Sequence, residues 1–299
     1  MARRRGGRVP TLGRGEGGDD RPKGRSRRRL LPFNPWHLAL APMAVLFALP
    51  LVWLGLSSFM SNAEINRFPP ALFPSSPHLD GYTYVLRNAE FPVWFGNSCL
   101  VAGATVLSNL VLCSLAAYGF ARMRFRGAGV VFGLLMATLV VPFQLTMIPT
   151  FLLMRQLGLT DSLPALIVPN LVSAFGVFLL RQFFLALPPE FEDAARIDGC
   201  TRLGVLIRIV LPLARPALAT LAVLTFLTTW NDLTWPLIVI STEHNYTLQL
   251  GLTTFTGQHR SQWSAVMAGN VLTTLPVLVA FLVGQRNFVA SLTSSGLKG

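Results

Sequence analysis

Apolar positions gather into six long runs along the chain, at about 36–60, 94–121, 128–152, 163–187, 212–240 and 264–285. A hydrocarbon core about 30 Å thick needs roughly 20 apolar residues per helix, and each run meets that length. The pattern predicts six transmembrane helices. No charged side chain falls between His37 and Ala63, between Phe91 and Ala121, between Gly127 and Met154, or between Ser261 and Gln285. The fourth run carries Arg181 near its exit, where the long side chain can reach the headgroups. Only the fifth carries an acid well inside, Asp232.

Between the fourth and fifth runs the pattern changes. Pro188-Pro189 removes two backbone donors and disfavours helix before it, so the fourth helix should end there. A new helix can start at once. Glu190, Glu192 and Asp193 fill its first turn, where the positive end of the helix dipole favours them, and Ala194, Ala195 and Arg196 continue it. Gly199 suits a left-handed stop. Beyond it, Leu203, Leu206, Ile207 and Val210 recur at helical spacing opposite Arg202 and Arg208, which predicts an amphipathic helix lying under the bundle before Leu211-Pro212 opens the next span. Phe191, Ala194, Ala195 and Asp198 share one face of the first short helix. On periodicity alone that face reads equally well as an anchor for another protein's pocket or as a solvated connector whose phenylalanine turns back onto its own bundle.

Composition agrees with the membrane reading: 52% of residues are apolar, 13% are charged and the mean hydropathy is +0.52. Charge then sets orientation. With the N-terminus inside, 21 of the 25 lysines and arginines fall on the cytoplasmic side and 4 on the other. Both termini are therefore expected in the cytoplasm. The net charge of +12 is concentrated in residues 1–35, a Gly/Arg-rich tail holding +8, which reads as a disordered topology determinant that touches anionic lipid. It lacks interleaved aromatics, so nucleic acid is not expected as a partner. Ser26-Arg27-Arg28-Arg29-Leu30-Leu31 looks like a twin-arginine signal, but the long run after it has no A-x-A site, and the first helix is expected to stay attached.

Chemistry is sparse. Cys99, Cys113 and Cys200 show no metal or disulfide spacing, and His78, His244 and His259 have no ligand set at helical spacing, so no metal site is assigned. Phosphate-binding G-x-x-x-x-G-K-[ST], G-x-S-x-G and H-E-x-x-H patterns are missing, and no catalytic residue is assigned.

Asp193-Ala194-Ala195, then Gly199, then Ile209-Val210-Leu211-Pro212 resemble the "EAA" loop of permease subunits of ATP-binding-cassette importers; Asp193 stands where that pattern has glutamate. Further segments narrow the resemblance to the carbohydrate branch, the maltose-type permeases: Asn97-Ser98, Ala116-Ala117-Tyr118 with Arg122, Ala194 to Gly199, Trp230-Asn231-Asp232 with Trp235-Pro236-Leu237, Gly251-Leu252, Leu275-Pro276 and Leu297-Lys298-Gly299. The likeness covers about residues 36–299. It implies an all-α polytopic membrane protein of the type I importer permease fold, with a six-helix domain at 36–299 and a cytoplasmic coupling loop at 188–212. It also implies a bacterial plasma-membrane location and a division of labour. A second permease subunit completes the pathway, two ATPase subunits bind and hydrolyse ATP with Mg, and an extracytoplasmic binding protein delivers sugar. The chain itself is then no enzyme and binds no cofactor directly. Glu190, Phe191, Glu192, Asp193, Ala194, Ala195, Arg196, Asp198 and Gly199 become the ATPase-coupling residues.

Within the spans, Asp232 would cost about 2.5–3.5 kcal/mol at a helix centre, so it must be paired, near an interface or facing water. Asn231, Asp232 and the neighbouring Trp230 are the candidate sugar contacts, with bonding to a neighbouring helix or to the partner permease as the equal alternative. Asn170, Ser173, Asn270 and Thr273 read as interhelical hydrogen bonds. Two other readings stay open: an importer permease for a non-sugar solute, and a secondary transporter, which would need an inverted repeat and mid-membrane carboxylates that the sequence does not display.

Overall fold

The computed structural model describes residues 36–69, 71–88, 90–256 and 262–296; the basic tail at 1–35 and Leu297-Lys298-Gly299 lie outside the described residues. Two compact units divide the chain, residues 1–48 and 49–299. The described part of the first is the opening of the helix Trp36–Ser57, where Leu38, Leu40, Met43, Leu46 and Phe47 are all exposed. An apolar surface left open on every side suits lipid, whose tails are as apolar as leucine.

In the second unit every regular element among the described residues is helical. Its axis is the 32-residue helix Phe91–Arg122, the second span, which packs against both the fourth and the fifth. Beside the larger Phe91, Trp94, Val101 and Tyr118, its buried face carries Ser98, Ala102, Thr105, Asn109, Cys113 and Ala117. These small residues recur every three or four positions, which lets neighbouring backbones approach closely.

Three pairs of consecutive helices are sharply bent at their junctions. Ala128–Val140 and Phe143–Gln156 meet at 105°. Pro142 is extended there, and so is Val141 before it, as a residue preceding proline is biased to be. Leu163–Asn170 and Ala174–Ala186 meet at 42°, the second half restarting on Ser173, whose hydroxyl accepts from the Gly176 N–H at 2.9 Å. Arg202–Leu213 and Arg215–Trp230 meet at 80° at Ala214. Within the fifth run one helix spans Arg215–Trp230, with a separate short helix, Thr234–Val239, beyond it. The last helix runs Trp263–Gly296 with Pro276 inside it. Three helices are long and apolar enough to cross a membrane, and up to six spans result if each bent pair is one.

The core falls into separate clusters. One surrounds Cys113, Phe184, Val205 and Leu221 at the end that carries the 188–212 loop. Two lie at the opposite end, around Trp94 with Leu248, and around Trp235 with Leu166. There a Cβ on Gly251 would overlap the Trp94 ring, so only glycine lets these helices meet. Asp161 joins that end: with φ 57, it accepts from the backbone N–H groups of Ser241 and Thr242, both at 2.9 Å, and from the Thr242 hydroxyl. The Thr242 hydroxyl and then the two amides hold its carboxyl down at about 2.

Candidate functional site at the 188–212 loop

The loop is two helices joined at a glycine. Glu190–Ile197 opens with three acids in its first turn. It closes with Gly199 at φ +84, where the Gly199 N–H donates to Arg196 O at 3.0 Å and the Cys200 N–H to Ala195 O at 2.9 Å. That pair of bonds satisfies the last carbonyls in the Schellman pattern. Thr201 starts the second helix by accepting from the Gly204 N–H at 3.2 Å. Residues Leu206–Val210 then widen into a π turn, with the Leu211 N–H bonded to Leu206 O. Val205, Leu206 and Val210 are buried, whereas Leu203 and Ile207 are exposed.

The structure divides the nine residues expected to couple into two sets. Glu190, Phe191, Asp193, Ala194, Arg196, Asp198 and Gly199 are exposed, with Phe191 at 54%. Glu192 and Ala195 point inward, at 8% and 7%. Ala195, expected beside Phe191, Ala194 and Asp198 on the open face, instead packs into the cluster of Val205, Leu206 and Val210. The outward apolar surface is therefore Phe191, Ala194 and Ile197, the last 87% exposed and absent from the sequence-based set. Its i, i+3, i+6 spacing from Phe191 was visible in the sequence.

Glu192 meets the end of the second span. Arg122 Nε donates to its Oε1 at 2.6 Å, the Tyr118 hydroxyl donates to Oε2 at 3.1 Å, and Arg122 Nη2 donates to Leu187 O at 2.8 Å. The ion pair is nearly enclosed, with side-chain exposures of 18% for Arg122 and 11% for Glu192.

The three pathway candidates separate as well. Trp230 is buried, stacked on Phe226 at 5.2 Å, and donates from Nε1 to Thr273 O at 3.1 Å, so it is a packing residue. Asn231 donates to Leu227 O one turn back and is exposed. Asp232 sits in the break between two helices rather than inside a long one, where its Oδ1 accepts from the Trp235 N–H at 3.3 Å. It lines a cavity of about 370 Å³ together with Thr146, Thr150, Asn170, Thr228 and Thr247. A second cavity of about 400 Å³, holding Thr105, Asn109 and Ser173, shares Asn170, Thr228 and Thr229 with the first. The hydroxyls of Thr105 and Thr247, one in each cavity, are buried and lack a hydrogen-bond partner among the described residues. Asn170 and Ser173 link helices through backbone carbonyls and not side chains: the Asn170 backbone O accepts from Asn109 Nδ2 at 2.7 Å and the Ser173 backbone O from Cys113 Sγ at 3.6 Å. The side chains of Asn170, Asn270 and Thr273 instead donate to carbonyls of their own helices. No group of acids, histidines and cysteines among the described residues could hold a metal.

A bundle of bent apolar helices, a polar track between them and a protruding charged helix define a membrane-embedded transport subunit. Residues 109–293, more than half of the chain, match the family described as "Binding-protein-dependent transport system inner membrane component", and the chain belongs to that family. It is a permease of an ATP-binding-cassette importer, a transport component and not an enzyme. Among its relatives, the arabinooligosaccharides transport system permease protein AraQ of Halalkalibacterium halodurans is 37% identical, with 91% of this chain and 100% of that protein covered. The lactose transport system permease protein LacG of Rhizobium radiobacter is 33% identical over 90% and 97%. Among solved structures, a bacterial ABC transporter involved in import of the acidic polysaccharide alginate contains a chain with TM-score 0.75 and 25% identity, covering 85% of this chain and 98% of its own.

Proposed function

We propose that this chain forms half of the translocation pathway for a sugar or oligosaccharide across a bacterial plasma membrane, with both termini in the cytoplasm. A second permease subunit completes the pathway, and an extracytoplasmic binding protein delivers the solute. Two ATPase subunits, which bind ATP and Mg, engage the Glu190–Ile197 helix. The observation that carries the coupling role is its exposed face. Phe191, Ala194 and Ile197 present apolar surface to water, with Glu190, Asp193, Arg196 and Asp198 around it, the make-up of an anchor with a polar rim. ATP can shift the bundle between two states only as far as it favours one of them, and this helix is the contact through which that preference passes.

The sugar reading draws support from the relatives named for arabinooligosaccharides and lactose. The lining of the cavities agrees: threonine hydroxyls and asparagine amides pair well with sugar hydroxyls. A relative at 34% identity is named for sn-glycerol-3-phosphate, yet neither cavity here is lined by lysine or arginine, and Asp232 disfavours an anion. The test is to purify the full importer with its binding protein and measure ATP hydrolysis against a panel of carbohydrates and phosphate esters. A neutral carbohydrate should accelerate hydrolysis. Stimulation by a phosphate ester alone, with no carbohydrate effective, would overturn the sugar reading.

A further inference from the structure

We propose that Tyr118, Arg122 and Glu192 are positioning residues that fasten the Glu190–Ile197 helix to the near end of the second span, so that displacement of the helix is delivered to that span directly. The inference rests on the reading of this helix as the ATPase contact. Covalently, the helix is joined only to its sequence neighbours: through Pro188-Pro189 to the fourth span, and through Gly199 to the helix leading into the fifth. The second span ends about 70 residues earlier in the chain, and load can reach it only across side chains.

The geometry suits that transfer. Both Glu192 oxygens are occupied, one by Arg122 Nε and the other by the Tyr118 hydroxyl, and Tyr118 and Arg122 lie one turn apart on the last part of the second span. Charge-assisted bonds of this kind are short and directional, and near-burial limits their screening by salt. Arg122 also reaches Leu187 O, so one planar guanidinium grips both the helix and the segment entering it. A lysine, carrying a point charge, cannot reproduce that fork. Arg181 of the fourth span adds a parallel tie, donating from Nε to Phe120 O at 3.3 Å while its guanidinium lies 4.2 Å from the Phe132 ring centroid. The connection matters because the second span carries Thr105 and Asn109, which line the second cavity, and packs on both the fourth and fifth spans. A stroke applied at Phe191 and Ile197 thereby reaches the lining of the polar track.

The experiment uses the full importer complex in liposomes, with Cys99, Cys113 and Cys200 replaced by serine and solute uptake read per ATP hydrolysed. Docking is monitored in the same complex by cross-linking from Ala194→Cys to the ATPase, in a version without other engineered cysteines. Glu192→Gln, which keeps the shape but loses the charge, should assemble and keep the Ala194 cross-link while uptake per ATP falls at least tenfold; Arg122→Lys should behave alike, and Tyr118→Phe should fall two- to threefold. In the double variant Arg122→Cys/Glu192→Cys, closing a short thiol cross-linker should restore uptake per ATP to within threefold of the parent, which mere loss of packing would not allow. A retained Ala194 cross-link with an unchanged uptake-to-ATP ratio in Glu192→Gln overturns the fastening role alone. A parent complex without the Ala194 cross-link overturns the docking reading and, with it, the role of these three residues in coupling.

Discussion

Two carboxylates tie distant segments together at the two ends of the fourth span, in opposite surroundings. Glu192 lies in a nearly closed niche, held by one guanidinium and one phenol. Asp161 lies at the surface, held by two backbone N–H groups and a hydroxyl. Burial decides what each tie is worth, because water competes freely for the partners of Asp161 and less for those of Glu192, which border a cavity of about 280 Å³. The first tie is shielded, and the second is a clasp that solvent can open.

The comparison can be broken most forcefully at Arg122. Arg122→Ala leaves the Glu192 carboxylate buried with only Tyr118, and losing one partner of such a pair should destabilise the subunit by about 3 kcal/mol, seen as a lowered melting midpoint of the detergent-purified protein. Neutral behaviour would mean the niche is wetter than its geometry shows. At the other end, packing rather than charge should dominate. Gly251→Ala pushes a methyl into the Trp94 ring and should cost about 2 kcal/mol by the same assay.

A smaller effect separates docking from folding. Ile197→Asp changes a side chain that touches little of its own subunit, so the melting midpoint should stay within about 0.5 kcal/mol of the parent while uptake falls about tenfold. The smallest change is expected at Asp161→Asn. The folded carboxyl sits at about 2, below the unfolded value of about 3.9. Its contribution is therefore fully present above pH 4 and is lost as pH falls through 2. Solvent screening keeps it to no more than about 1 kcal/mol, so parent and variant should differ slightly at pH 7 and converge near pH 2 in a melting series.

Much of this arrangement was legible from residue order. The apolar runs gave the helices because the cost of burying polar backbone in lipid leaves few alternatives, and Pro188-Pro189 with Gly199 marked the loop's two joints. The bends at Pro142 and Ser173 were not legible, since hydropathy reports what surrounds a helix and not where its axis turns, whereas the turn at Ala214 was marked two residues early by Leu211-Pro212; Pro149 and Pro276 stay inside helices while Pro142 breaks one. Nor could periodicity choose between Glu192 and Asp193 as the inward acid. That choice is made by Arg122 and Tyr118, far away in sequence, although two polar residues one turn apart at the end of an apolar helix were a sign that something charged lay opposite. Sequence left two roles open for Trp230, and its ring here packs on Phe226 while its Nε1 donates to Thr273 O.

The most direct measurement compares two cross-linking positions on one helix in the assembled importer. Ile197→Cys and Glu192→Cys, each carrying the same short photoreactive label, are irradiated with and without ATP. The outward position is predicted to capture the ATPase subunit in an ATP-dependent manner and the inward position to capture only this chain. Capture of the ATPase from position 192, or of lipid alone from position 197, would contradict the account.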